Sequence, residues 1–147
     1  DIYPAGLGEV MSRSAERTNL PIWITENGIA DAHDVQRPSF LVRHLVEVAK
    51  SIAAGVDVLG YCHWSLIDNF EWAEGMSQRF GLFEVNPQDM ARRPRHSAEI
   101  YRQIARNKAI DEATWQAHGS SIATARRQSR TGAPESEILR RGSRETT

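Results

Sequence analysis

The sequence predicts an α/β fold built on a parallel strand–helix–strand unit, and three stretches carry that reading. "LPIWIT", residues 20–25, is short and rich in β-branched and aromatic residues. "PSFLVRHLVEVAKSIAA", residues 38–54, has helical spacing of Leu41, Leu45, Val48, Ala49 and Ile52, with Arg43, Glu47 and Lys50 off that stripe. "VDVLGYCHWS", residues 56–65, is a second strand whose near-continuous apolarity predicts burial on both faces. A strand, helix and strand in series give parallel strands joined by a right-handed crossover, so the loops after the two strands open on one side of the sheet.

The remaining elements follow in order. Residues 4–18 place Leu7, Val10, Met11, Ser14 and Ala15 at helical spacing, with Pro4 near the start and Asn19 and Pro21 at the end. "ENGIADAHDVQR" is a polar loop with an Asn-Gly turn signal. Pro38 suits the first turn of the central helix, and Gly55 suits the position just past its end. "GMSQRFGLFEVN" reads as a short extended segment or hairpin around Phe80, Leu82, Phe83 and Val85, turning at Asn86-Pro87. Residues 94–107 form a last amphipathic helix on Ala98, Tyr101, Ile104 and Ala105. From about Gln116 large apolar residues become scarce and Ser, Thr and Arg dominate, so residues 113–147 are expected to be a disordered tail.

Composition narrows the function. The 147 residues are 40% hydrophobic and 25% charged with a net charge of −1, a balance that demands neither nucleic acid nor an anionic membrane. No apolar run approaches the ~20 residues of a membrane-spanning helix. Cys62 is the single cysteine, which excludes an internal disulfide and fits a reducing, cytoplasmic setting; in "GYCHW" it is expected to be a small buried thiol. The five histidines lack metal-ligand spacing, and neither a Gly-rich phosphate loop nor a Gly-x-Ser-x-Gly elbow is present. No metal or cofactor is expected.

Carboxylates and aromatics at the ends of two strands remain. Glu26 stops the apolar run of the first strand, either as an ordinary strand end or as a catalytic carboxylate. "WSLIDNFEWAEG" gathers Trp64, Asp68, Phe70, Glu71, Trp72 and Glu74 within a dozen residues. Sugar sites use this mixture, because an indole face packs on the C–H face of a pyranose while carboxylates and the indole N–H bond its hydroxyls. Aromatic core packing with solvated acids is the plainer alternative.

"ITENG", "GYCHWSLIDNFEWAEGMSQRFGL" and "RRPRHSAEIYRQI", in this order over roughly residues 1–112, resemble the C-terminal part of family 1 glycoside hydrolases, the β-glucosidase and β-galactosidase family. "TENGIADAHDVQRPSFLVRHL" and "GMSQRFGLFEVN" are similar to its archaeal, thermostable branch. The resemblance implies the last two βα units of a (β/α)₈ barrel, incomplete alone, with residues 20–25 and 56–64 as the strands. Active sites of such barrels lie at the C-terminal ends of strands. It further implies that Glu26 is the nucleophile of a retaining hydrolysis, that Trp64 stacks beneath the sugar, that Glu71 and Trp72 bond its outer hydroxyls and that Phe80 helps wall the pocket. The expected partner is a β-linked glucoside or galactoside. Members acting on 6-phosphorylated sugars carry Ser, Lys and Tyr where this chain resembles them at Glu71, Gln78 and Phe80. An anion at Glu71 repels a phosphate and Gln78 offers no cation, so a non-phosphorylated glycoside is expected.

Retention also needs a second carboxyl about 5–5.5 Å from the nucleophile. In the resembled family it is the Glu of a Thr-x-Asn-Glu-Pro stretch, and this sequence contains no Asn-Glu-Pro. Asp68 and Glu74 read as loop or surface acids. The chain is therefore expected to be the nucleophile half of a glycosidase, lacking the N-terminal portion of the barrel and inactive alone. The competing class is a non-catalytic carbohydrate-binding or decayed fragment that keeps the aromatic platform.

Overall fold

A computed structural model describes residues 2–119. Helix α1 (Pro4–Thr18) opens with Pro4 in its first turn, where a missing N–H costs nothing. It ends on Asn19 in the left-handed region (φ 51°), whose N–H donates to the Ala15 carbonyl at 2.8 Å. Strand β1 (Ile22–Asn27) follows, then helix α2 (Arg37–Ala53) and strand β2 (Val58–His63). The two strands pair in parallel, as the strand–helix–strand reading requires, with Ile22 opposite Val58, Ile24 opposite Tyr61 and Asn27 opposite His63. Irregularities interrupt the ladder after Ile22 and again between Ile24 and Asn27. Gly60 sits beneath the Trp23 indole, and a Cβ there would lie 2.9 Å from the ring.

Beyond β2, a 3-10 turn (Trp72–Glu74) leads to a small antiparallel hairpin of β3 (Phe83–Val85) and β4 (Arg92–Pro94), closed at the expected Asn86 turn. The hairpin is hooked to the segment after β2 by Leu82 N–H to the Ser65 carbonyl and Phe83 N–H to the Leu66 carbonyl, each 2.9 Å. Helix α3 (His96–Asn107) packs its Ile100 face on α2. Helix α4 (Glu112–His118) is capped by Asp111, whose side chain accepts the Thr114 N–H at 2.7 Å.

Two apolar clusters flank α2. Met11 of α1, Ile24 of β1 and Val48 make one; Leu41, Val42 and Val46 join Ile100 and Trp115 in the other. Helix α2 consequently presents no exposed residue from Arg37 to Ser51. The expected stripe of Leu41, Leu45 and Val48 lies inside, but Ile52 is exposed, and Phe40, Val42 and Val46 are buried as well. A helix packed on two sides buries more than one face.

Four expectations need correction. Residues 113–118 belong to α4, with Gly119 as its C-cap, rather than to a tail, because Trp115 docks on Leu41, Val42 and Val46 and repays the ordering of a short helix; residues 120–147 of the expected tail lie outside the described residues. Cys62 is exposed, not buried. Strand β2 is not covered on both faces: Leu59 is exposed, as is Trp23 beside it on β1, since among the described residues no layer lies over that side of the sheet. The strands are Ile22–Asn27 and Val58–His63 rather than residues 20–25 and 56–64, so Glu26 lies inside the end of β1. Among the described residues the sheets hold two strands each and no barrel closes, as expected of an incomplete barrel. No described helix is long and apolar enough to cross a membrane, and no group of His, Cys, Asp and Glu among the described residues could hold a metal ion.

Candidate active site

Glu26 precedes the Asn27–His63 pair that ends the parallel ladder, and Trp64 follows it directly. The Trp64 N–H donates to the Asn27 carbonyl at 3.0 Å, so the carboxylate-bearing strand and the indole-bearing loop meet at one end of the sheet. Their approach is close enough to require glycine at position 28, where a Cβ would sit 1.6 Å from the Trp64 carbonyl oxygen. The Glu26 side chain is solvent-exposed and accepts no hydrogen bond from a described residue.

Trp64 is half-buried, and its indole N–H donates to Glu71 Oε1 at 3.2 Å, orienting ring and carboxylate together. Glu71 Oε2 accepts no hydrogen bond from a described residue. Phe80 joins through its backbone, with its carbonyl accepting the Ser65 N–H at 3.2 Å. Trp72 departs from this group: it stands 85% exposed, with φ 49°, at the start of the 3-10 turn. The structure thus draws Trp64, Glu71 and the Phe80 backbone together beside the end of β1 and leaves Trp72 turned to solvent. A groove of about 750 Å3 lined by Tyr3, Asn27, Gly28, Gln36, Phe40 and His44 opens nearby, but neither Glu26 nor Trp64 lines it.

Beside these groups lie charges whose burial sequence patterns did not reveal. Asp68, expected as a loop or surface acid, does lie in the loop after β2 but is 3% exposed. Its carboxylate accepts both terminal nitrogens of Arg95 at 3.0 Å, the Gly81 N–H at 2.9 Å and the Val85 N–H at 3.3 Å. Burial alone would raise its pKa, but the Arg95 guanidinium and these amides outweigh it and hold the carboxyl below the ordinary value. Bonded this way, Asp68 has no lone pair to spare for chemistry and serves to pin the loop that carries Glu71 and Phe80. Glu74, by contrast, is exposed as expected.

Arg37 is fully buried at the first residue of α2. A cation there opposes the helix dipole, an electrostatic oddity that could have flagged it in the sequence. It is compensated by an ion pair with Asp34, while its Nη2 donates to the Asp31 carbonyl at 2.6 Å and the Arg79 carbonyl at 2.7 Å. Asp34 also accepts the N–H (2.8 Å) and hydroxyl (2.6 Å) of Ser97 at the start of α3. Asp31 accepts the Gln36 and Arg37 amides at 2.7 and 2.9 Å, which satisfies the N-terminus of α2. His63 is buried next to this cluster with neither ring nitrogen bonded to a described residue. Burial, aided by Arg37, pushes its pKa down to about 4, so the ring is neutral at pH 7.

Comparisons with known proteins identify the family. The β-galactosidase of Saccharolobus solfataricus is 47% identical over 112 residues, covering 76% of this chain and 23% of the relative. β-Glucosidase A of Thermotoga maritima is 35% identical, covering 76% and 27%. The solved β-glycosidase from Pyrococcus horikoshii superposes with a TM-score of 0.79 at 43% identity, over 84% of this chain and 29% of that one. The chain therefore spans about a quarter of the length of the curated relatives it matches. Residues 1–110 match the glycosyl hydrolase family 1 profile, more than half of the sequence, and the chain belongs to that family.

Proposed function

We propose that this chain carries the nucleophile and part of the sugar site of a retaining β-glycosidase acting on non-phosphorylated glucosides or galactosides. The observation that carries the reading is the junction between the end of β1, which bears Glu26, and Trp64, whose backbone N–H bonds Asn27 and whose indole is hydrogen-bonded to Glu71. In this mechanism the Glu26 carboxylate attacks the anomeric carbon as the bond to the leaving oxygen breaks. A second carboxyl, supplied by residues outside this sequence, gives that oxygen its proton. The same group then takes a proton from water, which attacks the glycosyl–Glu26 ester and frees the sugar with retained configuration. The chain's own residues bind and orient: Trp64 offers an apolar face to the pyranose, and Glu71 Oε2 accepts a sugar hydroxyl. Trp72, already exposed at the rim, would reach the same hydroxyl edge, and Phe80 would wall the pocket. The names β-galactosidase and β-glucosidase borne by the relatives support this substrate class. The negative charge of Glu71 argues against a sugar phosphate. The single, exposed Cys62 thiol suits a reducing compartment, and we keep the cytoplasm as the expected one.

Two measurements test the reading. The 147-residue polypeptide alone should show no turnover of an aryl β-glucoside; turnover that disappears in Glu26→Gln would refute the need for an outside acid. The second uses a hybrid in which the matched segment of this chain replaces its counterpart in the Saccharolobus solfataricus β-galactosidase. There Glu26→Gly should abolish hydrolysis, and azide should partly restore cleavage by filling the space of the lost carboxylate. Absence of rescue would remove the nucleophilic role.

A further inference from the structure

Three consecutive carbonyls, those of Arg79, Phe80 and Gly81, accept hydrogen bonds from three different parts of the chain. The Arg79 carbonyl accepts Arg37 Nη2 at 2.7 Å and the Asp31 N–H at 2.9 Å. The Phe80 carbonyl accepts the Ser65 N–H at 3.2 Å. The Gly81 carbonyl accepts Arg95 Nη1 at 2.6 Å, while the Gly81 N–H donates to Asp68 Oδ1 at 2.9 Å. This tripeptide therefore ties the loop after β1, the loop after β2 and the residue that opens α3.

Two of the donors are guanidiniums with almost no exposed side-chain surface, Arg37 at 0% and Arg95 at 8%. Loops ordinarily satisfy their carbonyls with water and move accordingly. Here buried charged donors, each held by its own carboxylate, take that place, and bonds to charged donors are the stronger kind. There is also no slack at the next residue: a Cβ on Gly81 would lie 2.2 Å from the Asp68 nitrogen. So much fixation would be costly for a connector without a task.

We propose that Arg37 and Arg95 are positioning residues of the sugar site, gripping the backbone on either side of Phe80 so that its ring keeps a set place relative to Trp64 and Glu71. Neither arginine touches sugar in this scheme. The proposal rests on the glycosidase reading for its consequence, but not for the geometry of the grip.

Arg37→Lys and Arg95→Lys in the hybrid enzyme test it. Lysine retains the charge beside Asp34 or Asp68 but has one nitrogen, which cannot reproduce the planar fork that binds carboxylate and carbonyl together. Arg102→Lys, on an exposed residue paired with Glu99, is the control. KM for an aryl β-glycoside should rise about tenfold in both test variants with kcat within about twofold, the pattern of lost uniform binding. A fall in kcat at unchanged KM, or failure of both variants to fold, reads as a purely structural role and overturns the proposal. Amide exchange gives a readout independent of turnover. Protection of the Ser65 N–H, bonded to the Phe80 carbonyl, should drop at least about tenfold in each variant while amides of α1 stay unchanged. Unchanged Ser65 protection overturns the grip even in an active hybrid. An inactive hybrid whose Ser65 protection drops in this way supports the grip and counts against the glycosidase reading alone.

Discussion

Replacing Gly28 by alanine would put a methyl group where the Trp64 carbonyl oxygen already sits. An ideal Cβ there lies 1.6 Å from that oxygen and 2.7 Å from the carbonyl carbon, whereas Cβ contacts below 3.0 Å essentially do not occur. The two backbones must therefore part by about 1.4 Å, and because the obstacle is main chain, no rotamer change relieves it. The neighbouring Trp64 N–H bond to the Asn27 carbonyl, 3.0 Å long, would open beyond hydrogen-bonding range. Overpacking of this kind costs about 1–3 kcal/mol of stability. Its larger effect should be on rate, since the shift separates Glu26 from the Trp64–Glu71 pair, and misplacement by ~1 Å costs about 100-fold. The assay is kcat/KM of the hybrid enzyme with an aryl β-glycoside, alongside its urea midpoint. Gly8→Ala in α1 is the control: the nearest atom to its Cβ would be the flexible tip of Glu47 at 3.2 Å, with Glu47 Cβ and Ser51 Oγ at ordinary contact distance, and alanine gains up to ~1 kcal/mol of helix propensity. A Gly28→Ala enzyme that keeps kcat/KM within about twofold would refute the contact between strand end and indole loop on which the site is built.

Other substitutions probe the supports. The unfolded His63 imidazole binds a proton near 6.5 and the folded one only near 4, with Arg37 and His44 adding to the burial effect and Asp34 opposing it. Its contribution is thus fully present above pH 6.5 and is lost as pH falls towards 4, about 3 kcal/mol in all at ~1.36 kcal/mol per pH unit. Urea midpoints at pH 7 and pH 4.5 should converge in His63→Leu, and an unchanged difference would contradict this. Asp68→Asn should lower stability by about 3 kcal/mol, because Arg95 is left buried without its anion; a loss of under ~0.5 kcal/mol in the denaturation midpoint would show that the cluster is slack. Trp115→Ala should release α4, stripping exchange protection from residues 112–118 while β1 and β2 keep theirs. Equal loss in the strands would mean that α4 is integral to the core.

What could be read in advance was local. Pro38 and Gly55 bracket α2 because each matches a backbone demand at its own position; Gly55 indeed adopts φ 94°. The one longer-range feature was that the ends of β1 and β2 meet on one side of the sheet, which follows from parallel strands alone. Burial of β2 was misjudged because a run of apolar residues shows what a strand can bury, not whether another layer lies over it, and among the described residues none covers Leu59 or Cys62. Helix α4 was missed although Asp111, Thr114 and Trp115 spell a cap and an anchor, since seven residues in polar surroundings give too short a period. The buried charges were the least accessible. Asp34 and Ser97 stand 63 positions apart, and no spacing rule relates them. Asp68 looks in sequence like any loop acid; only the folded hairpin brings Gly81, Val85 and Arg95 around it.

The unexposed run of α2 from Arg37 to Ser51 has an evolutionary corollary. A helix with one wet side tolerates drift along that side, whereas this one offers random mutation almost no neutral position. In a saturation library α2 should stand out as a continuous block of intolerance, while the outer surface of α1, with Arg13, Glu16 and Arg17 in water, accepts most replacements. New specificities would then arise in the loops beyond the strands, with this helix as the fixed frame.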